Sequence, residues 1–174
     1  MRSSFVCLAF AAAFLSQAAA AGDDPKVARG KYIVTLAGCS DCHTPGVFSG
    51  TPDMARYLGG SDTGFALPGA GVFVGQNLTP DVETGIGSWS IAQIISALRE
   101  GKRPDGTVLM GVMPWASFAS LTDEDALAVA TFLKSLPPVK NKIAGPFGPN
   151  DKPTVSVSAT LTPNLYMGLP ASAR

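Results

Sequence analysis

Three stretches of the chain repeat apolar residues at the spacing of one helical face. The first begins after Asp24, a good N-cap residue, with Pro25 at the first helical position. It extends to about Ala37. Its apolar positions include Val27, Ala28, Tyr32 and Leu36. We predict an amphipathic helix that ends just before a pair of cysteines.

A second helix is predicted to start at a serine cap, either Ser88 or Ser90. It continues through Arg99, and Gly101 ends it. Its apolar stripe consists of Ile91, Ile94, Ile95 and Leu98. One side of this helix should therefore face the core.

A third helix is predicted over residues 123–136. Thr122 and Asp125 resemble a capping box with Asp in place of Glu, and Pro137 stops the helix. Its acidic first turn suits the positive end of the helix dipole, so we interpret the charges as capping and not as a metal site. Its core positions are Val129, Phe132, Leu133 and Leu136.

Two features of the first helix suggest how it packs. Tyr32 and Phe132 are candidates for a contact between the first and third helices. Gly30 lies inside the helix, where glycine costs about 1 kcal/mol relative to alanine. Gly30 either lies where a second helix packs closely against the first or occupies an ordinary surface position.

The segments between and after these helices show little periodicity. Residues 44–87 are rich in Gly, Pro, Ser, Thr and Asp and are predicted to form a long loop. Residues 140–174 form a Pro-rich tail in which 154–161 alternates weakly, as in one short strand. We expect the tail to wrap an all-α domain over residues 22–139. It could instead be disordered or a partner-binding end.

The N-terminus has the pattern of a secretory signal peptide. Arg2 precedes an apolar run over residues 5–15, and small residues at 17–21 offer a cleavage site near Ala21. The alternative is an uncleaved anchor, but the run is shorter than the roughly 20 residues that span a bilayer. We therefore expect residues 1–21 to be removed, and no transmembrane segment in the mature chain.

Composition excludes two classes of protein. Hydrophobic residues make up 46% of the chain and charged residues 15%, which is not the composition of a disordered polar chain. Lys and Arg total 13, and so do Asp and Glu, so no basic face for nucleic acid is implied. Electrostatic steering of a partner protein would depend on local charged patches and not on net charge.

The two cysteines that follow the predicted signal peptide form one compact motif. Cys39, Cys42 and the single histidine, His43, stand as C-x-x-C-H, the attachment motif of a c-type haem. Two thiols add to the haem vinyl groups, and the histidine can coordinate the iron. A thioredoxin-like dithiol would need a βαβ pattern, and zinc would need a further Cys or His. A single histidine also excludes bis-His ligation and a Ser-His-Asp triad.

The sixth iron ligand must then be a Met side chain, a Lys side chain or water, or else the sixth position is open. The methionines after the signal are Met54, Met110, Met113 and Met167. We choose Met113 because Pro114 holds it in an extended conformation, as suits a loop reaching across to the open haem face. Met110 is the alternative ligand. A core-filling role is the other possibility for any of them.

Several polar and aromatic residues are candidates for contact with the haem. Trp89 and Trp115 could line its pocket and offer an indole N–H to a propionate, or could be ordinary core aromatics. Arg56, Gln76 and Asn77 are further propionate candidates. Asn77 also begins an Asn-Leu-Thr sequon, a weak indication of glycosylation.

The order helix, C-x-x-C-H, long loop, helix, methionine loop, helix resembles a class I cytochrome c. Five segments are more specific: Cys39-Ser-Asp-Cys-His43-Thr, Asn77-Leu-Thr-Pro-Asp81, Thr84-Gly-Ile-Gly-Ser-Trp89, Met113-Pro-Trp115 and Leu121-Thr-Asp-Glu-Asp125. They are similar to the cytochrome c subunits of bacterial membrane-bound alcohol, aldehyde and gluconate dehydrogenases. The resemblance covers about residues 26–139.

The resemblance implies an all-α fold of three to four helices around one covalent haem c. Cys39 and Cys42 would attach the haem, His43 would be the proximal ligand and Met113 the distal ligand. Those subunits usually carry three haem domains and a membrane-associating C-terminus, whereas this chain has one motif and no such segment.

We therefore expect a periplasmic mono-haem electron carrier, not an enzyme. A dehydrogenase would be its electron donor, and a cytochrome or a terminal oxidase its acceptor. Two alternatives stay open. One is a haem enzyme or gas-binding protein with an open distal site. The other is an obligate electron-transfer subunit whose tail binds its partner.

Overall fold

The computed structural model describes residues 24–170, and the predicted signal peptide lies outside them. The three helices expected from apolar periodicity are present. They are α1 (Pro25–Leu36), α3 (Ile91–Glu100) and α5 (Asp123–Ser135). The described residues also form α2 (Cys39–His43), α4 (Trp115–Phe118), α6 (Pro163–Met167) and a 3-10 turn at Met54–Arg56.

The ends of α1 and α5 are set by the caps that the sequence predicted. The Asp24 side chain accepts a hydrogen bond from the backbone N–H of Lys26 at 2.8 Å. The Thr122 hydroxyl accepts one from the backbone N–H of Asp125 at 3.1 Å. Each bond satisfies an N–H that the helix itself leaves unpaired.

The N-cap of α3 is Ser90, which decides between the two predicted serines. The Ser90 hydroxyl accepts from the backbone N–H of Gln93 at 3.2 Å, and the Gln93 side chain accepts from the backbone N–H of Ser90 at 2.8 Å. This reciprocal pair is a complete capping box. Gly101 ends the helix with φ of 69°, in the left-handed region that glycine adopts at little cost.

Helices α1 and α5 cross at Gly30, which is buried. A Cβ at this position would overlap the carbonyl oxygen of Ala128 and lie 2.7 Å from the Cβ of Phe132. The prediction that Gly30 permits close approach of a second helix is therefore confirmed. Tyr32 does not belong to this contact, because it is 55% exposed and packs beside the Arg29 guanidinium.

The hydrophobic core lies between the three long helices and the loops that connect them. It consists of Val34, Leu58, Ile86, Ile94, Val129, Ala130, Phe132 and Leu133. Leu58 and Ile86 come from loops outside these helices, so the loops contribute to the core directly.

A small sheet interrupts the long loop expected over residues 44–87. Strands β1 (Thr63–Leu67) and β2 (Gly71–Val74) pair antiparallel, and β3 (Ser156–Ser158) pairs parallel with β1. The sheet order is β2-β1-β3. The expectation of an all-α fold needs this correction. Strands of three to five residues are too short for their alternation to stand out in a Gly- and Pro-rich stretch.

The tail folds back onto this sheet. The short strand predicted within 154–161 is present as β3, although it is limited to the three residues Ser156–Ser158. Before it, Phe147 exchanges two backbone hydrogen bonds with Val72, both of 2.9 Å. The tail thus pairs with both β1 and the outer edge of β2. Among residues 24–170, no helix has the length and apolar character needed to cross a bilayer.

Candidate functional site

The C-x-x-C-H motif forms a helix of its own, α2. Gly38, with φ of 64°, turns the chain between α1 and α2. Cys39 and Cys42 are then three residues apart in one helical turn, which places them on the same side. Both are half-buried thiols without a disulfide, and Cys39 packs against the hydrophobic core.

Both thiols are held in the protonated form. Burial raises the pKa of Cys39 to about 11, with a further contribution from Cys42 and Asp41. Burial, followed by the charge of Asp41, also raises the pKa of Cys42. A redox-active dithiol has a lowered thiol pKa. The two cysteines therefore lack the lowered pKa that a thioredoxin-like dithiol uses.

The imidazole of His43 is oriented from behind by a backbone carbonyl. Its Nδ1 lies 2.7 Å from the carbonyl oxygen of Gln76, 33 residues further along the chain. Because a carbonyl only accepts, Nδ1 must carry the proton. Burial lowers the pKa of His43, while the bond to Gln76 opposes that effect. The ring is then neutral, with the Nε2 lone pair free to bind a metal.

Close contacts hold α2 and the residue after it against two segments, the one that carries Gln76 and the one over residues 58–60. A Cβ on Gly75 would overlap the carbonyl oxygen of Cys42, so only glycine fits there. The carbonyl oxygen of His43 accepts a hydrogen bond from the backbone N–H of Gly60 at 2.8 Å. The following residue, Thr44, is buried and accepts from the backbone N–H of Leu58 at 3.0 Å.

The side chains of α2 fit a covalently attached haem. Two thiols on one face of a helical turn suit the two vinyl groups, and the neutral imidazole beside them offers its Nε2 to iron. A carbonyl bonded to the other ring nitrogen is the usual way in which proteins orient such a ligand. The donor set therefore matches the motif.

Met113 lies in a different part of the fold, in the turn just before α4. Its backbone N–H donates to the carbonyl of Met110 at 3.0 Å, and its own carbonyl accepts from Trp115 at 2.8 Å. Met113 is half-buried, whereas Met110 is 40% exposed. The structure thus brings Cys39, Cys42 and His43 together on α2 and holds Met113 on a separate, hydrogen-bonded turn.

The two tryptophans are engaged within the protein. The indole N–H of Trp115 donates to the carbonyl of Leu109 at 3.1 Å, and its ring covers Gly101. The structure therefore uses this N–H internally and not for a propionate. Trp89 packs against the hydrophobic core.

The other propionate candidates also have partners in the protein. Arg56 forms an ion pair with Asp53 at 2.7 Å. The side chain of Gln76 donates to the carbonyl of Val74 at 2.9 Å. Asn77 is 2% exposed, and its amide nitrogen donates to the carbonyl of Val139 at 2.7 Å. Its sequon is therefore inaccessible in the folded protein.

Sequence reasoning did not identify the backbone contacts of Gly60, Gly75 and Gln76. The group that orients His43 is a main-chain carbonyl, and every residue type carries one. The only available indication was glycine, which often marks a close backbone approach. In a segment this rich in glycine, that indication does not single out a position.

Comparison with known proteins gives several relatives. The chain is 39% identical over 126 residues to the cytochrome c subunit of a quinone-dependent alcohol dehydrogenase from Gluconacetobacter polyoxogenes, covering 69% of this chain and 26% of the relative. It is 37% identical over 136 residues to the cytochrome c subunit of gluconate 2-dehydrogenase from Pantoea cypripedii, covering 76% and 29%.

A third relative, a dihaem c-type cytochrome from Cereibacter sphaeroides, is 34% identical over 118 residues, covering 68% of this chain and 38% of the relative. No family model matches the chain. The chain thus spans less than two fifths of the length of each of these relatives. Over about two thirds of its own length, the chain is a homologue of the cytochrome c subunits of bacterial alcohol, fructose and gluconate dehydrogenases.

Proposed function

We propose that this chain is an exported mono-haem c-type cytochrome that carries single electrons from a dehydrogenase toward the respiratory chain. Cys39 and Cys42 attach one haem c, and His43 and Met113 are the axial ligands of its iron. The observation that carries the proposal is the bond from His43 Nδ1 to the Gln76 carbonyl, beside two thiols on the same helical turn. When bound, the haem supplies a one-electron couple between ferric and ferrous iron.

Each residue of the site has a definite task in this proposal. Cys39 and Cys42 form the thioether links and then take no part in redox chemistry. His43 is kept neutral by burial and is fixed in orientation by Gln76. Met113 contributes a soft, neutral thioether that favours the reduced state and so raises the potential. With both axial positions filled, the protein needs no substrate site.

The partner and the compartment follow from two different arguments. The relatives are named as cytochrome subunits of dehydrogenases, which supports a dehydrogenase as the electron donor. The signal-like N-terminus together with a c-type haem motif supports export to the periplasm. A cytochrome or a terminal oxidase would be the acceptor. Redox encounters of this kind are small and transient, below about 1,200 Å².

A second candidate is an obligate subunit of a dehydrogenase complex that uses the same redox chemistry. It is favoured by α6, where Leu165 and Tyr166 are 57% and 45% exposed in a stretch without charged residues. Removal of residues 159–174 leaves β3 in place. If this candidate is correct, the truncated protein keeps its haem but no longer copurifies with its dehydrogenase. Unchanged copurification and turnover favour the free carrier.

The first test is the absorption spectrum of protein matured in a periplasm, oxidised and reduced, with and without carbon monoxide. The proposal expects a c-type α-band on reduction and no shift with carbon monoxide. Haem should survive denaturation in the wild type and in Ser40→Ala, but not in the double variant Cys39→Ala, Cys42→Ala. Haem that is lost from the wild type on denaturation contradicts the proposal. A high-spin spectrum that shifts with carbon monoxide supports the gas-binding alternative.

A further inference from the structure

Residues 139–143 form an extended segment, here called the strap. It packs against the loops that contain Gly59, Asn77 and Thr84. Along the strap, exposure alternates with a period of two. Val139, Asn141 and Ile143 are partly buried, whereas Lys140 and Lys142 are exposed. One face of the strap is therefore packed against the protein and the other faces solvent.

The packed face contacts two consecutive glycines. The side-chain amide of Asn141 donates to the carbonyl of Gly59 at 2.8 Å. The side chain of Ile143 fills the space that a Cβ on Gly60 would need. Gly60 has φ of 102°, a conformation that side chains rarely adopt, so the strap rests directly on backbone.

Gly60 and the residue after it are hydrogen-bonded to the two segments that meet at His43. The backbone N–H of Gly60 donates to the carbonyl of His43 at 2.8 Å. The next residue, Ser61, donates from its N–H to the carbonyl of Gly75 at 2.8 Å. Gly75 directly precedes Gln76, whose carbonyl binds Nδ1 of His43. Segment 59–61 thus ties the two members of the His43–Gln76 pair together.

The strap is also anchored on the other side of Gln76. Its Val139 carbonyl accepts from the Asn77 amide at 2.7 Å, and the Val139 N–H donates to the Thr79 hydroxyl at 3.0 Å. The backbone N–H of Asn141 donates to the Thr84 hydroxyl at 3.0 Å. Asn77 is the residue directly after Gln76, so the strap fixes the chain close to the carbonyl that orients the imidazole.

We propose that residues 139–143 are a positioning element for the proximal ligand, with Asn141 and Ile143 as its positioning residues. By bracing segment 59–61 and Asn77, the strap holds the Gln76 carbonyl against Nδ1 of His43. This inference rests on the proposed function, because it takes His43 as the ligand of the haem iron. The start of the tail then serves the redox site and is more than a linker.

The test measures solvent exchange of the His43 Nδ1 proton by NMR in the ferrous holoprotein, together with its reduction potential. Removing one hydrogen bond in Asn141→Ala should speed this exchange about fivefold and shift the potential. Ile143→Ala should act at least as strongly. Lys142→Ala changes the exposed face of the same strap and should leave both quantities unchanged.

Val129→Ala separates positioning from general stability, because Val129 is a buried residue of the hydrophobic core on α5. It should lower the melting temperature without speeding the exchange of the imidazole proton. The inference is overturned if Asn141→Ala exchanges no faster than Lys142→Ala, or no faster than Val129→Ala at equal loss of stability. If Ile143→Ala does not fold, Asn141→Ala and Ile143→Val decide. A wild type without covalent haem refutes the proposed function as well, whereas unchanged exchange in a haem-bearing protein refutes this inference alone.

Discussion

Gly75 lies directly against the carbonyl oxygen of Cys42, so closely that a Cβ at position 75 would overlap that oxygen. The contact joins α2 to the chain that leaves β2. It also sets the position of the next residue, Gln76, whose carbonyl binds Nδ1 of His43. The candidate site therefore depends on a backbone contact as much as on its cysteines and histidine.

Substitution Gly75→Ala should destabilise the protein by about 2–3 kcal/mol, because the new methyl group meets a main-chain carbonyl that cannot move freely. Chemical unfolding of the two proteins measures the difference. Gly111→Ala is the matched control, since a Cβ at Gly111 meets nothing within 4 Å. Equal stability of the two variants would show that the contact at Cys42 is not tight.

Substitution Gly30→Ala should also destabilise, by about 1–3 kcal/mol. The added Cβ would overlap the Ala128 carbonyl oxygen and push α1 away from α5. The overlap outweighs the gain of about 1 kcal/mol that alanine normally brings to a helix. Thermal unfolding compared with Lys31→Ala, an exposed neighbour in the same helix, measures the effect. A variant as stable as wild type would refute the close crossing of the two helices.

The ion pair of Arg29 and Asp125 predicts a dependence of stability on pH. Its two side chains are 2.8 Å apart, and the bond to Arg29 lowers the pKa of Asp125 from its usual value of 3.8. A lowered pKa in the folded state means that the stabilisation is present above about pH 4 and is lost as the pH falls through the folded value. The free energy of unfolding of wild type should therefore exceed that of Asp125→Asn at pH 7, and the gap should narrow as the pH falls below about 4.

Glu124→Gln is the control for that experiment, because it removes another carboxylate from the same helical turn. Its difference from wild type should change less between pH 7 and pH 3. A gap for Asp125→Asn that is constant with pH would contradict the lowered pKa. High salt should reduce the effect, since Arg29 is 53% exposed and its charge is screened.

Met113→Ala should remove the weak far-red band that a methionine–iron bond gives in the ferric spectrum. The iron would then lack its thioether ligand and would bind carbon monoxide when reduced. Met110→Ala is the matched control, because Met110 stands in the same turn and is more exposed. If Met110→Ala loses the band and Met113→Ala keeps it, Met110 is the ligand and the proposed assignment is wrong.

The long helices could be predicted from the sequence because the residues that define each helix and its cap lie close together in the chain. Asp24, Ser90 and Thr122 cap helices through side chains that bond to N–H groups two or three residues away. The apolar stripe of α3 and the C-x-x-C-H motif of α2 are likewise short, contiguous patterns. Such patterns need no knowledge of the rest of the chain.

The pairing of the tail with the sheet and the contacts of the strap escaped prediction because the partners are far apart in the chain. Strand β3 pairs with β1, and Phe147 pairs with Val72, through backbone groups that are alike in every residue. The same reason explains Asn77, a propionate candidate by sequence, whose buried side chain instead forms hydrogen bonds with Thr79 and Val139. Its partners became visible only when the chain was folded.

The three long helices, their N-caps and the motif with two thiols and an imidazole could be read from the sequence alone. The groups that surround the imidazole became known from the folded chain. The segment with Gly75 and the Gln76 carbonyl, the segment with Gly60 and the strap over residues 139–143 are three separate parts of the chain that meet around His43. Helices and caps arise from side chains within a few residues of one another, so a short stretch of sequence is enough to indicate them. Contacts between distant backbone segments depend on packing, which leaves no distinctive residue pattern.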